Sequence, residues 1–305
     1  MINDPIIETN QICKRYKDVE AVCELNLKVP RGSICGFLGR NGAGKTTTIK
    51  MLTGLARPTS GRAWVLGRDM SHEKDRVEAF QHMGFVSDEK QILAYMTVAQ
   101  LLDFSRPFFP GWRRDLESQY LRAFELPLDR KIGTFSKGMH TKVALLLAIA
   151  RGPELIILDE PTEGLDPAMI EEVMHALVSL AASDGVTVFF SSHQLSDVEQ
   201  IADRVAIIEK GRLIINEAID DLKENYRHVR FVFEEDAQAE PMLTMAGVER
   251  AQSSGRAMSL LVSGNLDAVL REVRNRNGRA VDVSPVTLKE IFLDAVKRGS
   301  GSEVE

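Results

Sequence analysis

The chain has 305 residues, of which 44% are hydrophobic and 27% are charged, enough to bury the core of one large domain or of two. Its formal net charge of -6 argues against a sequence-wide attraction to nucleic acid or anionic lipid. Apolar runs such as Val143–Ala150 are far shorter than the roughly 18 residues of a membrane-spanning helix, and Met1–Glu8 carries acids and a proline instead of a basic, apolar leader. We therefore expect a cytosolic chain that does not cross a membrane.

The amino-terminal elements are predicted to be strands. Ile6–Ile12 and Leu25–Val29 indicate an antiparallel pair, which leads into a buried strand over Ser33–Leu38. A glycine-rich loop begins at Gly39, and a helix then runs to about Leu52. The pattern is that of a strand, a loop and a helix.

The middle of the chain is predicted to alternate helices with buried strands. Residues 97–150 are mostly helical in pattern, with Thr97 as a cap, a loop at Pro107–Gly111 and a helix over Arg113–Phe124. Leu155–Leu158 and Val186–Phe190 are uninterrupted apolar runs. Such runs between helices predict a parallel sheet that is covered on both faces.

A composition shift divides the chain near residue 220. Val205–Ile208 and Leu213–Ile215 indicate a hairpin that ends the first domain. Residues 221–305 then contain strand-like runs at Val229–Phe233 and Met258–Val262 and a helical run at Leu266–Arg274. We expect a small α+β appendage there, and it contains no catalytic motif.

The glycine-rich loop fits the phosphate-binding pattern Gly-x-x-x-x-Gly-Lys-Ser/Thr in full, with Gly39, Arg40, Asn41, Gly42, Ala43, Gly44, Lys45 and Thr46. A buried strand before the loop and a helix after it direct backbone N–H groups at phosphate. Lys45 is expected to reach the β- and γ-phosphates of a nucleotide, and the Thr46 hydroxyl to bind Mg²⁺. Thr47 completes the predicted nucleotide-binding set.

Two acids follow the second buried strand. Asp159 is expected to complete the Mg²⁺ site, and Glu160 to orient and deprotonate an attacking water. Both come at the carboxyl end of Leu155–Leu158, where ligands bind in sheets of this kind.

A run between these motifs resembles the signature of a known family. Ser136, Lys137, Gly138 and Met139 stand where the ATP-binding subunits of ABC transporters have Ser-Gly-Gly-Gln. Ser136 and Gly138 match, whereas Lys137 and Met139 depart. The chain resembles that family, and its bacterial exporter branch, over residues 5–217.

The resemblance implies an α/β fold of the P-loop NTPase type, with a mixed sheet core, an antiparallel amino-terminal β part and a helical subdomain at about residues 90–150. It also implies site residues outside the phosphate loop. His193 is expected to contact the γ-phosphate and Tyr16 to stack on adenine, while one loop crosses to a partner subunit and contains Gly164, Leu165 and Asp166.

One departure concerns the loop that links the ATP site to the membrane subunit. The family usually has Gln there, and alignment on Gly84-Phe85-Val86-Ser87 puts Asp88 at that position. An acid is a possible Mg²⁺ ligand, and it changes the charge near the γ-phosphate. The ATP site is therefore expected to close more weakly or more slowly. Its closing is expected to be transmitted to the membrane subunit through residues 91–110.

By resemblance, two such subunits enclose two ATP molecules head to tail, so that Ser136 and Gly138 of one chain face Lys45, Thr46 and Asp159 of the other. Hydrolysis of ATP is then expected to power a separately encoded membrane subunit, with the chain peripheral on the inner face of the membrane, in a homodimer or heterodimer that binds no nucleic acid. Export is the favoured direction.

Other function classes remain open. A soluble ABC-type ATPase acting on ribosomes or DNA is the main alternative, although such members carry two ATP modules or long coiled-coil insertions. A GTPase or small-molecule kinase explains neither Ser136 nor His193. A nucleotide-binding module without turnover predicts the loss of Lys45, Glu160 or His193, and all three are present.

Overall fold

The computed structural model of the protein describes residues 4–90, 92–235 and 240–299. The chain forms two compact units, one up to Asn216 and one from Glu217. Outside the described residues lie residues 1–3 of the amino-terminal stretch, Gln91 at the start of the predicted coupling region, and residues 236–239 and 300–305 of the predicted appendage. A helix needs about 20 apolar residues to cross a bilayer, and no helix within the described ranges offers such a stretch.

The first unit consists of two sheets with helices packed around them. Its strands are β1 (Pro5–Tyr16), β2 (Val19–Leu25), β3 (Lys28–Pro30), β4 (Ile34–Leu38), β5 (Ser60–Val65), β6 (Arg68–Asp69), β7 (Met83–Val86), β8 (Leu155–Leu158), β9 (Thr187–Ser192), β10 (Arg204–Glu209) and β11 (Arg212–Ala218). Its helices are α1 (Lys45–Leu52), α2 (Glu73–Gln81), α3 (Val98–Ser105), α4 (Arg114–Ala123), α5 (Lys137–Ala150), α6 (Pro167–Asp184) and α7 (Leu195–Ile201).

The antiparallel sheet has the strand order β2-β1-β5-β6, with β3 also paired to β1. The single strand predicted over Leu25–Val29 is in fact two, since β2 ends at Leu25 and β3 begins at Lys28. The Thr9 side chain in β1 closes the gap, because its hydroxyl donates to the Leu25 carbonyl (2.8 Å) and accepts from the Leu27 N–H (2.7 Å).

The second sheet has the order β11-β10-β4-β9-β8-β7, and its strands β10, β4, β9, β8 and β7 run parallel. Every residue of β4, β8 and β9 is buried. The apolar runs Leu155–Leu158 and Val186–Phe190 predict this burial for β8 and for most of β9. The loops that begin at Gly39, Ser87, Asp159 and His193 therefore leave one common edge of the sheet, the edge where ligands bind.

Helices α3, α4 and α5 lie between β7 and β8 in the chain and form the predicted helical region. Thr97 and Gln100 close a capping box at the start of α3. A 3₁₀ turn at Arg106–Phe108 follows α3, and a second one at Ile132–Thr134 precedes α5. Helix α5 begins after Ser136, so its first turn carries the predicted signature.

The second unit is an α+β structure. It contains β12 (Arg227–Val232), β13 (Val248–Ser254), β14 (Ala257–Val262) and β15 (Arg279–Pro285) in the order β13-β14-β12-β15, with α8 (Ile219–Asn225), α9 (Glu240–Leu243), α10 (Leu266–Asn275) and α11 (Leu288–Gly299). Helix α8 packs on α11 and belongs to this unit, which therefore begins a few residues before the expected position 221.

Candidate functional site

The phosphate loop joins β4 to α1 and has the backbone that its glycines permit. Gly42 and Gly44 have φ values of 81° and 110°. A Cβ atom on Gly44 would lie 2.6 Å from the Ala21 carbonyl oxygen, so this position admits only glycine. No side chain caps the N-terminus of α1, and no acid lies in its first turn. The N–H groups there are open to an anion.

A cleft of about 350 Å³ opens over this loop. Its wall brings together the phosphate loop, the segment after β7 and the segment after β8. The lining residues are Ala21, Asn41, Gly42, Gly44, Lys45, Thr46, Thr47, Asp88, Glu160 and Glu163. The remaining loop residues, Gly39, Arg40 and Ala43, do not line the cleft. The carbonyl oxygens of Gly39 and Arg40 accept hydrogen bonds from Lys45, and the Ala43 N–H donates to the Arg40 carbonyl.

Lys45 is buried and fully engaged. Its ammonium donates to the carbonyl oxygens of Gly39 (2.8 Å) and Arg40 (3.3 Å), and it lies 3.1 Å from the Glu160 carboxylate. The side chains of Lys45 and Glu160 are only 6% and 9% exposed. A phosphate that enters the cleft therefore meets a cation held at the loop and paired with the predicted base.

Glu160 connects Lys45 to His193. Its Oε2 lies 2.9 Å from His193 Nδ1, while its Oε1 faces Lys45. Glu160 has a φ of 46°, a left-handed conformation that is unusual for a residue other than glycine, and its N–H donates to the Ser191 hydroxyl (2.9 Å). Strain of this kind is retained where the surroundings fix a functional group.

Asp159 is buried beside Glu160 and is held by Ser191. The Ser191 hydroxyl donates to its Oδ1 at 2.7 Å. Burial raises the pKa of Asp159, hydrogen bonds from Ser191 and Thr46 oppose that rise, and the charges of Glu160 and Asp88 add to it. The carboxylate is thus close to the Thr46 hydroxyl.

The donors around Asp159 fit Mg²⁺, because a carboxylate and a hydroxyl are the hard oxygen ligands that this ion prefers. Among the described residues, no group of three or more His, Cys, Asp or Glu side chains can hold a metal ion by itself. Mg²⁺ usually keeps several water ligands and is bound through one or two carboxylates together with substrate phosphates.

Asp88 and Lys90 lie on the segment after β7. Asp88 lines the cleft, as the alignment predicts. The pKa of Lys90 is lowered from its ordinary value, mainly by burial and also by the charge of Lys137. The neighbouring acids Asp88, Glu163 and Asp159 oppose this shift. Lys90 is a cation near the acidic end of the site that the sequence reasoning missed.

The signature residues form the start of α5 and do not line the cleft of their own chain. Ser136 caps the helix by accepting from the Met139 N–H at 3.3 Å. Ser136 and Lys137 are exposed, whereas Gly138 is buried against Met169 of α6.

The predicted crossing loop lies beside the signature. Gly164 has a φ of 69°, and a Cβ atom there would lie 2.8 Å from the Lys137 ammonium. Leu165 is half-buried and donates its N–H to the Thr162 carbonyl (3.1 Å). Asp166 caps α6 by accepting from the Met169 N–H at 3.0 Å. None of these signature and crossing-loop residues is among those that line the cleft.

Tyr16, the predicted adenine contact, ends β1 and is 46% exposed. The Lys14 ammonium lies 5.0 Å from its ring centroid. Tyr16 is not among the residues that line the cleft, so the structure leaves it on the surface with one ring face near a cation.

Two further residues support the site and were given no role from the sequence. Ser191 joins the backbone of Glu160 to the side chain of Asp159. Asp197 accepts from Thr162 (2.6 Å) and from Ser192 (3.1 Å), and so joins the segments that follow β8 and β9. In the sequence, both residues lie within four positions of His193, and this nearness is the signal that could have found them.

Comparison with protein families gives a match to the ABC transporter family over residues 22–163. The chain is 37% identical over 237 residues to the bacitracin transport ATP-binding protein of Bacillus licheniformis, covering 77% of each chain. It is 32% identical over 303 residues to a daunorubicin resistance ATP-binding protein of Streptomyces coeruleorubidus, covering 96% of this chain and 95% of the other. The second alignment thus extends through the second unit.

Solved structures share the fold. The structure of the ATP-binding subunit of an ABC transporter superposes with a TM-score of 0.65 at 26% identity and covers 72% of this chain and 92% of the other. The dimeric structure of a bacterial ABC transporter cassette gives a TM-score of 0.64 at 22% identity, covering 70% of this chain and 98% of the other. At that identity the likeness concerns the fold alone.

Proposed function

The chain belongs to the ABC transporter family of ATP-binding proteins, and from that premise we propose that it binds and hydrolyses ATP to power a separate membrane-spanning subunit. One observation carries the proposal. The buried Glu160 carboxylate lies between Lys45 of the phosphate loop and His193. In the proposed site, this cation, a base and a histidine then surround the terminal phosphate of a bound nucleotide.

Binding uses the open N–H groups at the start of α1 and the Lys45 ammonium. The loop carbonyls and Glu160 hold Lys45 in position before ATP arrives. ATP oxygens then share or replace these contacts, and Lys45 stabilises negative charge on the β- and γ-phosphates. The substrate therefore meets an organised site, which lowers the entropic cost of positioning it.

Thr46 and Asp159 are the residues that we propose hold Mg²⁺, with Asp88 as a further acid at the same cleft. Bound there, the ion supplies positive charge that offsets the phosphate oxygens. Ser191 keeps the Asp159 carboxylate in place through the 2.7 Å hydrogen bond.

Glu160 acts as the general base. A water attacks the γ-phosphorus and transfers a proton to Glu160, an O–P bond forms, and the bond from the γ-phosphorus to the bridging oxygen breaks to give ADP and phosphate. His193 positions Glu160 through their 2.9 Å contact and lies ready to contact the γ-phosphate. Positioned proton transfer of this kind contributes about 10²- to 10⁴-fold to a rate.

A second copy of the chain completes the site in this proposal. The exposed Ser136 hydroxyl and the N-terminus of α5 offer donors to the phosphates bound by the partner, as helix N-termini do. Gly164, Leu165 and Asp166 lie beside them and are proposed to cross the interface.

The relatives guide the choice of transport direction. One relative is named for bacitracin transport and another for daunorubicin resistance. We assign this chain, by analogy, to an exporter of a peptide-like or drug-like compound. It is proposed to work in the cytoplasm, bound to the inner face of the membrane through its partner.

The test is to purify the tagged chain from gently solubilised membranes, identify the integral membrane protein that accompanies it in stoichiometric amount, and measure phosphate release. We expect Mg²⁺-dependent release that Lys45→Ala abolishes. Recovery of ribosomes or DNA in place of a membrane protein would overturn the proposal.

A further inference from the structure

One buried acid joins two loops that the proposed mechanism uses for different tasks. Asp197, in the first turn of α7, is 3% exposed. Its Oδ2 accepts from the Thr162 hydroxyl at 2.6 Å and from the Ser192 hydroxyl at 3.1 Å. Thr162 lies in the segment that follows β8, whereas Ser192 is the last residue of β9. A single carboxylate oxygen therefore bonds to both segments.

The His193 loop, residues 192–194, belongs to one of these segments. The Ser192 hydroxyl accepts from the Gln194 N–H at 2.9 Å and so holds together the residues on either side of His193. It also lies 3.2 Å from the Gln194 carbonyl, a second acceptor for its proton. The His193 ring lies 2.9 Å from the Glu160 carboxylate. A displacement of this loop therefore moves a group that contacts the proposed base.

The crossing loop belongs to the other segment, and Thr162 lies just before it. The Thr162 carbonyl accepts from the Leu165 N–H at 3.1 Å, so the turn that contains Gly164 closes back on Thr162. Thr162 is 2% exposed, and its hydroxyl is the closer of the two donors to Asp197. A hydrogen bond to a carboxylate is stronger than one between neutral groups, and it is stronger still away from water. Asp197 thus anchors the crossing loop through Thr162.

We propose that Asp197 is a positioning residue that couples the His193 loop to the crossing loop, so that contact with the γ-phosphate and pairing with a second copy depend on each other. The proposal rests on the ATP hydrolysis and the pairing proposed above. A γ-phosphate that moves His193 also moves Ser192, and through Asp197 it moves Thr162 and the loop beyond. Hydrogen-bonded side chains that change position together carry coupling of this kind.

The coupling contacts are separate from those that hold the nucleotide. Asp197 and Thr162 are not among the residues that line the cleft. The position of the Lys45 ammonium is set by the carbonyl oxygens of Gly39 and Arg40 and by the Glu160 carboxylate. We therefore expect that loss of the Asp197 contacts leaves ATP binding to a single chain intact and impairs hydrolysis and pairing.

Thr162→Val tests the shorter of the two bonds, because valine removes the hydroxyl and keeps the β-branched shape. We expect kcat for ATP hydrolysis to fall about tenfold, as for the loss of one hydrogen bond to a charged group, and the affinity of the single chain for ATP to change by less than about twofold. In the Glu160→Gln background, the dissociation constant of ATP-bound dimers is expected to rise about tenfold. Thr162→Ser keeps the hydroxyl and is expected to restore the native kcat.

A double-mutant cycle identifies the partner of Thr162. Asp197→Asn removes the negative charge that accepts the bond. If both side chains act through this one bond, the double variant has the kcat of the more impaired single variant. Effects that multiply in the double variant would overturn the proposal, because they would show that the two residues act independently.

Asp203→Asn is the matched control. The Asp203 carboxylate also joins two segments, since it accepts from the Ile34 N–H at 2.8 Å, but it does so where β4 and β10 begin, at the edge of the sheet opposite the cleft. We expect this variant to keep the native kcat and the native dimers.

Thermal unfolding and ATP affinity separate positioning from a structural role. A fall in kcat for Thr162→Val that comes with an equal loss of ATP affinity and a large fall in melting temperature, without rescue by Thr162→Ser, would show a structural role and overturn the proposal. If Thr162→Val hydrolyses ATP and dimerises as the native chain does, this inference fails and the proposed ATPase function stands; if the native chain releases no phosphate, both fail.

Discussion

We expect Glu160→Gln to separate ATP binding from ATP hydrolysis. Glutamine keeps hydrogen-bonding atoms near Lys45 and His193 but removes the negative charge and the proton-accepting carboxylate. Loss of a general base lowers a rate by about 10²- to 10⁴-fold, so we expect turnover to fall at least about 100-fold.

The same structure predicts that ATP binding survives. Lys45 and Glu160 lie 3.1 Å apart, an attraction of about 5 kcal/mol at an effective dielectric constant of 20, before the cost of desolvation. Releasing Lys45 from that attraction, and removing an anion that repels the γ-phosphate, favours the nucleotide. We therefore expect ATP affinity to be equal or higher, and ATP-bound dimers to accumulate.

The assay combines single-turnover hydrolysis with light scattering in the presence of Mg²⁺ and ATP. Glu154→Gln is the control, because Glu154 lies just before β8, the strand that Glu160 follows, and is half exposed and far less confined. If Glu160→Gln hydrolysed ATP at the wild-type rate, the assignment of Glu160 as the general base would be refuted.

Three other substitutions test separate parts of the structure. Asp159→Asn is expected to raise the melting temperature of the nucleotide-free chain, because burial raises the pKa of this acid and makes its ionised form unfavourable in the folded state. Thermal unfolding with and without Mg²⁺ and ATP should also show that these ligands no longer stabilise the variant. Gly138→Ala puts a Cβ atom in steric conflict with the Met169 sulfur, and we expect it to lower the free energy of unfolding by about 1–3 kcal/mol and to weaken ATP-driven dimerisation. The double variant with Met169→Ala should recover both properties. Unchanged dimerisation would exclude the start of α5 from the interface. Burial alone would raise the pKa of Glu117, but hydrogen bonds from Arg106 and Trp112 outweigh that effect and hold the pKa below its ordinary 4.5. The ionised Glu117 therefore stabilises the fold above pH 4.5, and this stabilisation is lost as the pH falls further. Glu117→Gln should lower the denaturation midpoint at pH 7 and weaken the fall of that midpoint at acid pH, and an unchanged pH dependence would contradict the pairing.

Residues with a short-range pattern were predictable from the sequence. The phosphate loop and the two acids after β8 follow from glycine spacing and from an uninterrupted apolar strand. The helix start at Ser136 follows from capping chemistry. These signals are local, and each of them appears in the structure at the expected element.

Residues defined by contacts across the fold were not predictable in the same way. Ser191 supports Asp159 and Glu160 only because β8 and β9 are neighbours in the sheet. Thr162 and Ser192 both donate to Asp197 only because the segments that follow β8 and β9 lie side by side. Strand β13 was missed because its sequence, Val-Glu-Arg-Ala-Gln-Ser-Ser, is that of a polar edge strand with a weak apolar alternation.

The central claim is that this chain hydrolyses ATP at a site completed by a second copy. The most direct measurement is phosphate release per chain as a function of protein concentration, with Mg²⁺ and ATP in excess, down to concentrations at which light scattering shows monomers. The account predicts that the rate per chain falls as dimers dissociate, and that Glu160→Gln is inactive at every concentration. A constant rate per chain through the monomer range, or no release at any concentration, would contradict it.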